Sequence, residues 1–217
     1  MEDLTDNERE EQLRRWWTDN WLWIVGGIVI GLGGLAGFQY WQKSKRQGAE
    51  QDAASYRAEL DALGANQFDT AVAKAKQLRD LHPASPYADQ ADLALARSAV
   101  ERNDLAEAAG RLKVVADSSR DPQLRQVARA RLARVLIEQG KHDDALAQLD
   151  IATAGSFGAL FHEIRGDALA AKGDTAGARR EYDAALAGSQ TEPGIDTGFV
   201  ELKRYELPVT AAAGAPK

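Results

Sequence analysis

The chain has 217 residues, 28% of them charged, a formal net charge of −6 and no cysteine. Nucleic-acid binding normally needs clusters of Lys and Arg that displace phosphate counterions, so the acidic balance argues against that class of partner. The lack of cysteine excludes disulfides, thiolate catalysis and a lipid anchor on an N-terminal cysteine.

Residues 1–20 form an acidic N-terminal tail with seven acidic residues, three arginines and a net charge of −4. Its Thr5-Asp6-Asn7-Glu8 segment fits a capping box, which predicts a short helix that starts there and runs towards the next segment. Such a tail serves either as a small docking segment or as a solvated, partly ordered end, and the sequence leaves both interpretations open.

Residues 21–41 are predicted to form a transmembrane helix. The stretch Trp21–Tyr40 contains no charged residue, and twenty helical residues rise about 30 Å, the thickness of the hydrocarbon core. Aromatic residues, which prefer the headgroup level, crowd both ends: Trp16, Trp17, Trp21 and Trp23 at one, Phe38, Tyr40 and Trp41 at the other. A buried core helix or a cleaved signal peptide fits less well, because the run is long and uncharged and no small-residue cleavage site follows.

Glycines repeat along this segment at helical spacing. Gly27, Gly31 and Gly34 share one face, which predicts a contact surface for a second copy of the helix or for another membrane protein. The alternative is that glycine is simply common in membrane helices.

The basic residues that flank the span give little guidance on its orientation. Three precede it and four follow it: Arg9, Arg14 and Arg15, then Lys43, Lys45, Arg46 and Arg57. The positive-inside rule therefore weakly favours a cytoplasmic C-terminal domain.

After a juxtamembrane linker over residues 42–50, the alanine-rich stretch 51–190 contains repeats. Four turn sites recur at spacings of 37, 37 and 33 residues: Asn66-Gln67, Asn103-Asp104, Gly140-Lys141 and Gly173-Asp174. An alanine stands four residues after each turn (Ala71, Ala108, Ala145 and Ala178), and a small residue stands eight residues before the second member of the last three turns (Ala96, Ala133 and Gly166). This is the tetratricopeptide pattern, in which helices A and B of each unit cross closely. It predicts an all-α chain, with one transmembrane helix followed by a helical-repeat solenoid.

A solenoid of this kind has a concave face lined by its A helices. The phasing predicts that Arg97, Glu101, Arg134 and Glu138 face it as a protein-binding site. Each Arg–Glu pair is also spaced i, i+4, so ordinary surface ion pairing is the alternative.

No catalytic, metal or cofactor site is expected. The three histidines, His82, His142 and His162, fall at unrelated repeat positions, and no serine sits in a nucleophile-elbow context. Gly31–Ala36 matches a dinucleotide-binding fingerprint but lacks the strand–turn–helix unit that the fingerprint requires. The chain is therefore not predicted to be an enzyme.

Nearly the full length resembles the YfgM family of bacterial inner-membrane tetratricopeptide proteins. The resemblance rests on the acidic tail leading into Arg14-Arg15-Trp16-Trp17, on the glycine-rich span, and on the last repeat with its Arg165-Gly166-Asp167 and Gly173-Asp174 motifs. A further match is the segment Leu202–Pro208, within a C-terminal segment, 191–217, whose end from Val209 to Lys217 is expected to be disordered.

The resemblance implies a cytoplasmic N-terminus, a periplasmic repeat domain and a bacterial inner-membrane location. It also implies partnership with the SecYEG translocon and the periplasmic chaperone PpiD, and this topology is preferred over the weak charge count because a large domain can translocate against a marginal bias. A membrane-tethered assembly scaffold, homo-oligomeric through its glycine face, and a cytoplasm-facing regulatory module are the competing functions.

Overall fold

The computed structural model describes residues 6–189 and 194–208, and every regular element within these ranges is helical. The α-helices are α1 Asp6–Gly64, α2 Phe68–Leu81, α3 Pro86–Glu101, α4 Leu105–Ser118, α5 Pro122–Glu138, α6 His142–Gln148, α7 Gly158–Ala171, α8 Thr175–Gly188 and α9 Thr197–Glu206. Two short 3-10 turns, Ile151–Thr153 and Gly155–Phe157, precede α7. The predicted all-α class is confirmed.

The chain divides into two compact units, Met1–Gln51 and Asp52–Lys217. Residues 42–50, expected as a linker, lie inside α1. The C-terminal end expected to be disordered, 209–217, lies outside the described residues, as does Thr5 of the expected capping box.

The first unit contains the expected membrane span. Among the described residues, one helix is long and apolar enough to cross a bilayer; its most apolar window has a mean hydropathy of 1.9, and none of that window is buried within the protein. Large apolar side chains such as Trp23, Ile30 and Tyr40 are exposed along it. Because such a surface is unfavourable in water, its length and composition suit a lipid environment.

The four predicted turns of the second unit share one backbone geometry. Their first residues have left-handed φ angles of 58° at Asn66, 61° at Asn103, 74° at Gly140 and 84° at Gly173. Only Gly, and to a lesser degree Asn, adopts this region at little cost, which explains the residue types found there. The turns therefore separate the helix pairs that the repeat pattern predicts.

Size complementarity governs where the A and B helices of a unit cross. The four alanines that follow the turns are fully buried. In the last unit, a Cβ atom added to Gly166 on α7 would lie 2.4 Å from Cε1 of Tyr182 on α8. The preceding units place Ala96 and Ala133 at the position of Gly166, with the smaller Leu112 and Leu149 at the position of Tyr182. A larger residue on the B helix thus packs opposite a smaller residue on the A helix.

The first repeat of the helical-repeat domain reverses this order of sizes. Its A-helix position, eight residues before Gln67, is Glu59, and its B-helix position is Ala75; both are buried. A carboxylate therefore stands where the other units have alanine or glycine.

The Leu202–Pro208 segment, part of the family resemblance, belongs largely to α9, which packs on α8. Val200 and Leu207 are buried there. The Lys203 ammonium donates hydrogen bonds to Glu163 and Asp167 of α7, both at 2.8 Å. The helix thus covers the last repeat and satisfies a buried carboxylate.

Candidate protein-binding groove

The four predicted binding residues lie on the A helices α3 and α5. The Arg97 guanidinium donates from Nε to Oε1 of Glu101 at 2.9 Å, and the side chains of both residues are mostly exposed. Nη2 of Arg134, by contrast, lies 3.8 Å from Oε1 of Glu163 on α7. Ordinary i, i+4 pairing therefore describes the first pair, whereas the second arginine is directed to the next A helix.

Three adjoining clefts line one side of the A helices. The first, of about 780 Å³, runs between the end of α1, α3 and α5. The second, of about 410 Å³, shares Leu93, Arg97, Glu101 and Arg131 with the first. The third, of about 370 Å³, continues from the second through Val100, Arg134 and Val135 to Glu138 and Asp167. We call these three clefts the A-helix groove; all four predicted residues line it.

Sequence reasoning missed several residues of the groove. Arg131 precedes Arg134 by three residues on α5, and Leu93 precedes Arg97 by four on α3, so each shares a helix face with a predicted residue. Both residues could therefore have been predicted from this spacing. Arg102, whose guanidinium carbon lies 3.4 Å from the ring centre of Phe68, had no such signal.

The first two clefts of the groove are more basic than the chain as a whole. Four guanidinium groups and one carboxylate line its first two clefts, those of Arg97, Arg102, Arg131, Arg134 and Glu101. The whole chain has a net charge of −6. These two clefts therefore attract negative charge locally, whereas the carboxylates of Glu138 and Asp167 in the third cleft offset that attraction.

Buried charges join the helices of the first two repeats. Asp92 accepts from Nη2 of Arg79 at 2.5 Å and from Nη1 of Arg111 at 3.2 Å, and Asp89 accepts from Nη1 of Arg79 at 2.9 Å. Glu59 is fully buried, and its carboxyl oxygens have no hydrogen-bond partner among the described residues. Burial first, and then the charge of Asp92, raise the pKa of Glu59 to about 8, although Arg111 acts in the opposite direction. Glu59 is therefore mostly protonated at neutral pH.

Two of the three histidines have local partners, whereas Nδ1 of His142 is buried without a hydrogen-bond partner among the described residues. Nδ1 of His82 contacts Asp52, and Nδ1 of His162 lies 2.7 Å from Oε2 of Glu181, which also accepts from Arg165. Across residues 6–189 and 194–208, no group of three or more His, Cys, Asp or Glu side chains is arranged to hold a metal ion.

The glycine face of the membrane helix is open. Cβ atoms added to Gly27, Gly31 or Gly34 would meet no other atom within 4 Å. The face therefore has room for another helix.

Comparison with known proteins covers both the apolar helix and the repeats. Residues 14–209 match the family described as a tetratricopeptide repeat-like domain. The chain is 30% identical to a protein of Haemophilus influenzae over 192 residues, 87% of this chain and 93% of the relative. It is 31% identical to one of Aggregatibacter actinomycetemcomitans over 184 residues (82% and 88%) and 29% identical to one of Escherichia coli over 186 residues (86% and 89%). The chain belongs to the tetratricopeptide repeat-like YfgM family.

Each of these three relatives is named ancillary SecYEG translocon subunit, a name that describes no catalytic activity. Together with the apolar N-terminal helix, the match fits a single-pass protein of the inner membrane. The expected repeat fold and family membership are confirmed.

Proposed function

We propose that this protein is a membrane-anchored, periplasmic adaptor or chaperone partner at the Sec protein-translocation channel. The observation that carries the proposal is the near full-length match to relatives named ancillary SecYEG translocon subunit. The chain covers 88–93% of the length of those relatives that are at least 30% identical. Anchor and repeats both fall within the family match. The helix would hold the A-helix groove beside the channel, where emerging segments pass.

Within this function, Arg97, Glu101, Arg134 and Glu138 are proposed as protein-binding residues. They line the groove, and their charges lie beside apolar residues such as Val100. Helical-repeat proteins use extended surfaces of this kind to hold peptide segments.

Co-purification tests the partnership. The full chain, solubilised from membranes in mild detergent, is expected to recover SecYEG, and PpiD as the family resemblance implies. A control chain with residues 21–41 replaced by an unrelated membrane helix separates recovery through the anchor from recovery through the repeats. Recovery of neither the channel nor the chaperone by the parent chain would refute the proposal.

The proposed topology has a cytoplasmic N-terminus and periplasmic repeats. Alkaline phosphatase folds actively only in the periplasm, whereas green fluorescent protein exported in unfolded form does not fluoresce there. Fusions at Lys217 are therefore expected to give phosphatase activity without fluorescence. The reverse pattern would favour a cytoplasm-facing regulatory module and contradict the periplasmic assignment.

A second candidate function is a self-associating scaffold, which the open glycine face favours. Glycine stripes let helix backbones approach closely in lipid, so replacing Gly27 and Gly31 with Leu should abolish a dimer held by this face. Val29→Leu, about 200° away around the helix, is the matched control. An oligomeric state in detergent that is the same for parent, control and double variant would exclude a homo-oligomer through this face.

A further inference from the structure

The arginines of the A-helix groove differ in whether their guanidinium groups already have a partner within the described chain. Arg97 is paired with Glu101, Arg102 lies over the ring of Phe68, and Arg134 is 3.8 Å from Glu163. The guanidinium of Arg131 is exposed and has neither a hydrogen bond nor an ion pair within the part of the chain that the structure describes. Arg131 also lines both of the first two clefts, so it stands where they join.

Apolar side chains line the same clefts as this free guanidinium. Leu60 and Val100 are 40% and 44% exposed, and Leu93 and Val135 line the same clefts. Exposed aliphatic surface beside an unpaired cation is complementary to a ligand that carries both aliphatic and acidic side chains. A basic segment would instead be repelled, because arginines outnumber glutamates by three in these clefts.

The length of the first two clefts selects an extended occupant. Helix axes pack about 10 Å apart, so three successive A helices span about 20 Å, or roughly six extended residues. In an extended chain, alternate side chains point to opposite sides, so an alternating segment can turn its aliphatic side chains to the floor while its acidic side chains reach arginines at the edge.

We propose that the first two clefts of the A-helix groove bind an extended, acidic and aliphatic segment of a partner protein, with Arg131 as its principal carboxylate anchor. The inference rests on the proposed function in that the groove serves protein binding, and it specifies which segments the groove accepts. Arg97 and Arg134 contribute further positive charge to the clefts that Arg131 lines.

Peptide binding to the full chain in lipid nanodiscs tests this specificity, with empty nanodiscs as the blank. The probe is a fluorescein-labelled nine-residue peptide that alternates leucine with glutamate, followed by fluorescence anisotropy. A peptide with lysine for glutamate is expected to bind at least tenfold more weakly, and a peptide with serine for leucine is also expected to lose affinity. Arg131→Ala is expected to weaken the leucine–glutamate peptide about tenfold, because a charge-assisted hydrogen bond is lost.

Two further variants separate this role from general effects. Arg131→Glu is expected to weaken the leucine–glutamate peptide further than Arg131→Ala does and to remove most of the preference over the leucine–lysine peptide. Arg129→Ala removes an arginine from the same helix that does not line the clefts, so it should leave affinity unchanged. Since Arg131 is exposed and unpaired, its variants should keep the parent's circular dichroism spectrum.

Equal binding of the glutamate and lysine peptides would overturn the proposal, and so would Arg131→Ala binding as tightly as the parent. If the serine peptide binds as tightly as the leucine–glutamate peptide, the groove recognises negative charge alone. That result would overturn the proposal that it also selects aliphatic side chains. Recovery of SecYEG by the parent chain, measured in parallel, keeps the two questions apart. If the channel is recovered while the peptides are not discriminated, the groove chemistry fails and the translocon role stands.

Discussion

Replacing Glu59 with glutamine removes one buried ionisable group and keeps the shape of a protonated carboxyl. Glu59 is fully buried without a hydrogen-bond partner in the described chain, at the position that Ala96, Ala133 and Gly166 fill in the other repeats. Burial is the chief cause that raises its pKa from an ordinary value of 4.5 to about 8. Folding at neutral pH must therefore take up a proton that the unfolded chain has released.

The sign and size of the effect follow from this difference. The contribution of Glu59 to the free energy of unfolding is fully present below about pH 4.5 and is lost as the pH rises towards about 8. Each pH unit between these limits lowers the free energy of unfolding by about 1.4 kcal/mol. At pH 7 the protein has therefore lost about 3 kcal/mol of stability. Glu59→Gln has no proton to bind. The variant should therefore match the parent near pH 4.5, exceed it by about 3 kcal/mol at pH 7 and level off above pH 8.

Urea unfolding of the full chain in detergent, followed by far-ultraviolet circular dichroism at pH 5, 6, 7 and 8, measures this difference. All five tryptophans lie within residues 16–41, so tryptophan fluorescence would not report on the repeats. Glu50→Gln, an exposed glutamate on the same helix, is the matched control and should show no pH-dependent gain.

Two results would refute this reasoning about Glu59. If the stability of the parent and of Glu59→Gln changes with pH in parallel, the folded protein does not hold the proton. If the variant is less stable at every pH, the carboxylate makes a favourable interaction that outweighs its burial, and Asp92 does not repel it as the geometry implies.

Three further substitutions test the packing of the repeats by urea unfolding at pH 7. Gly166→Ala should destabilise the fold by about 2 kcal/mol, because the new methyl group overlaps the buried ring of Tyr182; a variant as stable as the parent would contradict the close crossing. Lys203→Met should cost about 3 kcal/mol, because it removes the nearest cation from the buried Glu163; a loss under 1 kcal/mol would mean that the carboxylate is solvated. Asp104→Ala should cost about 1 kcal/mol, because its carboxylate caps α4 by accepting from the Glu107 amide at 3.1 Å; Asp104→Asn should restore most of that loss.

Much of the fold could be predicted from the sequence because it depends on local, periodic patterns of residues. The left-handed turn residues could be located from Asn and Gly at regular spacing, and the helix crossings from alanines in phase with them. The membrane helix was visible because a bilayer imposes a minimum uncharged length on any helix that crosses it.

The candidate groove was predictable only in part. The phasing placed Arg97 and Arg134 on the lining helices, and both line the clefts. It could not tell that Arg134 lies near Glu163 of α7, or that Arg131 has no partner in the described chain, because each outcome depends on which side chains neighbouring helices bring within reach.

By itself, the sequence determined a membrane-tethered, all-helical repeat chain, because helical periodicity, turn residues and uncharged length are properties of short windows. Only the tertiary structure decided the environments of individual side chains. Lys203 meets Glu163 across 40 residues of chain, and Glu59 is buried beside Asp92 of the next repeat rather than solvated on a helix face. Burial and long-range pairing set the charge state and partner of a residue, and both arise when distant segments pack together.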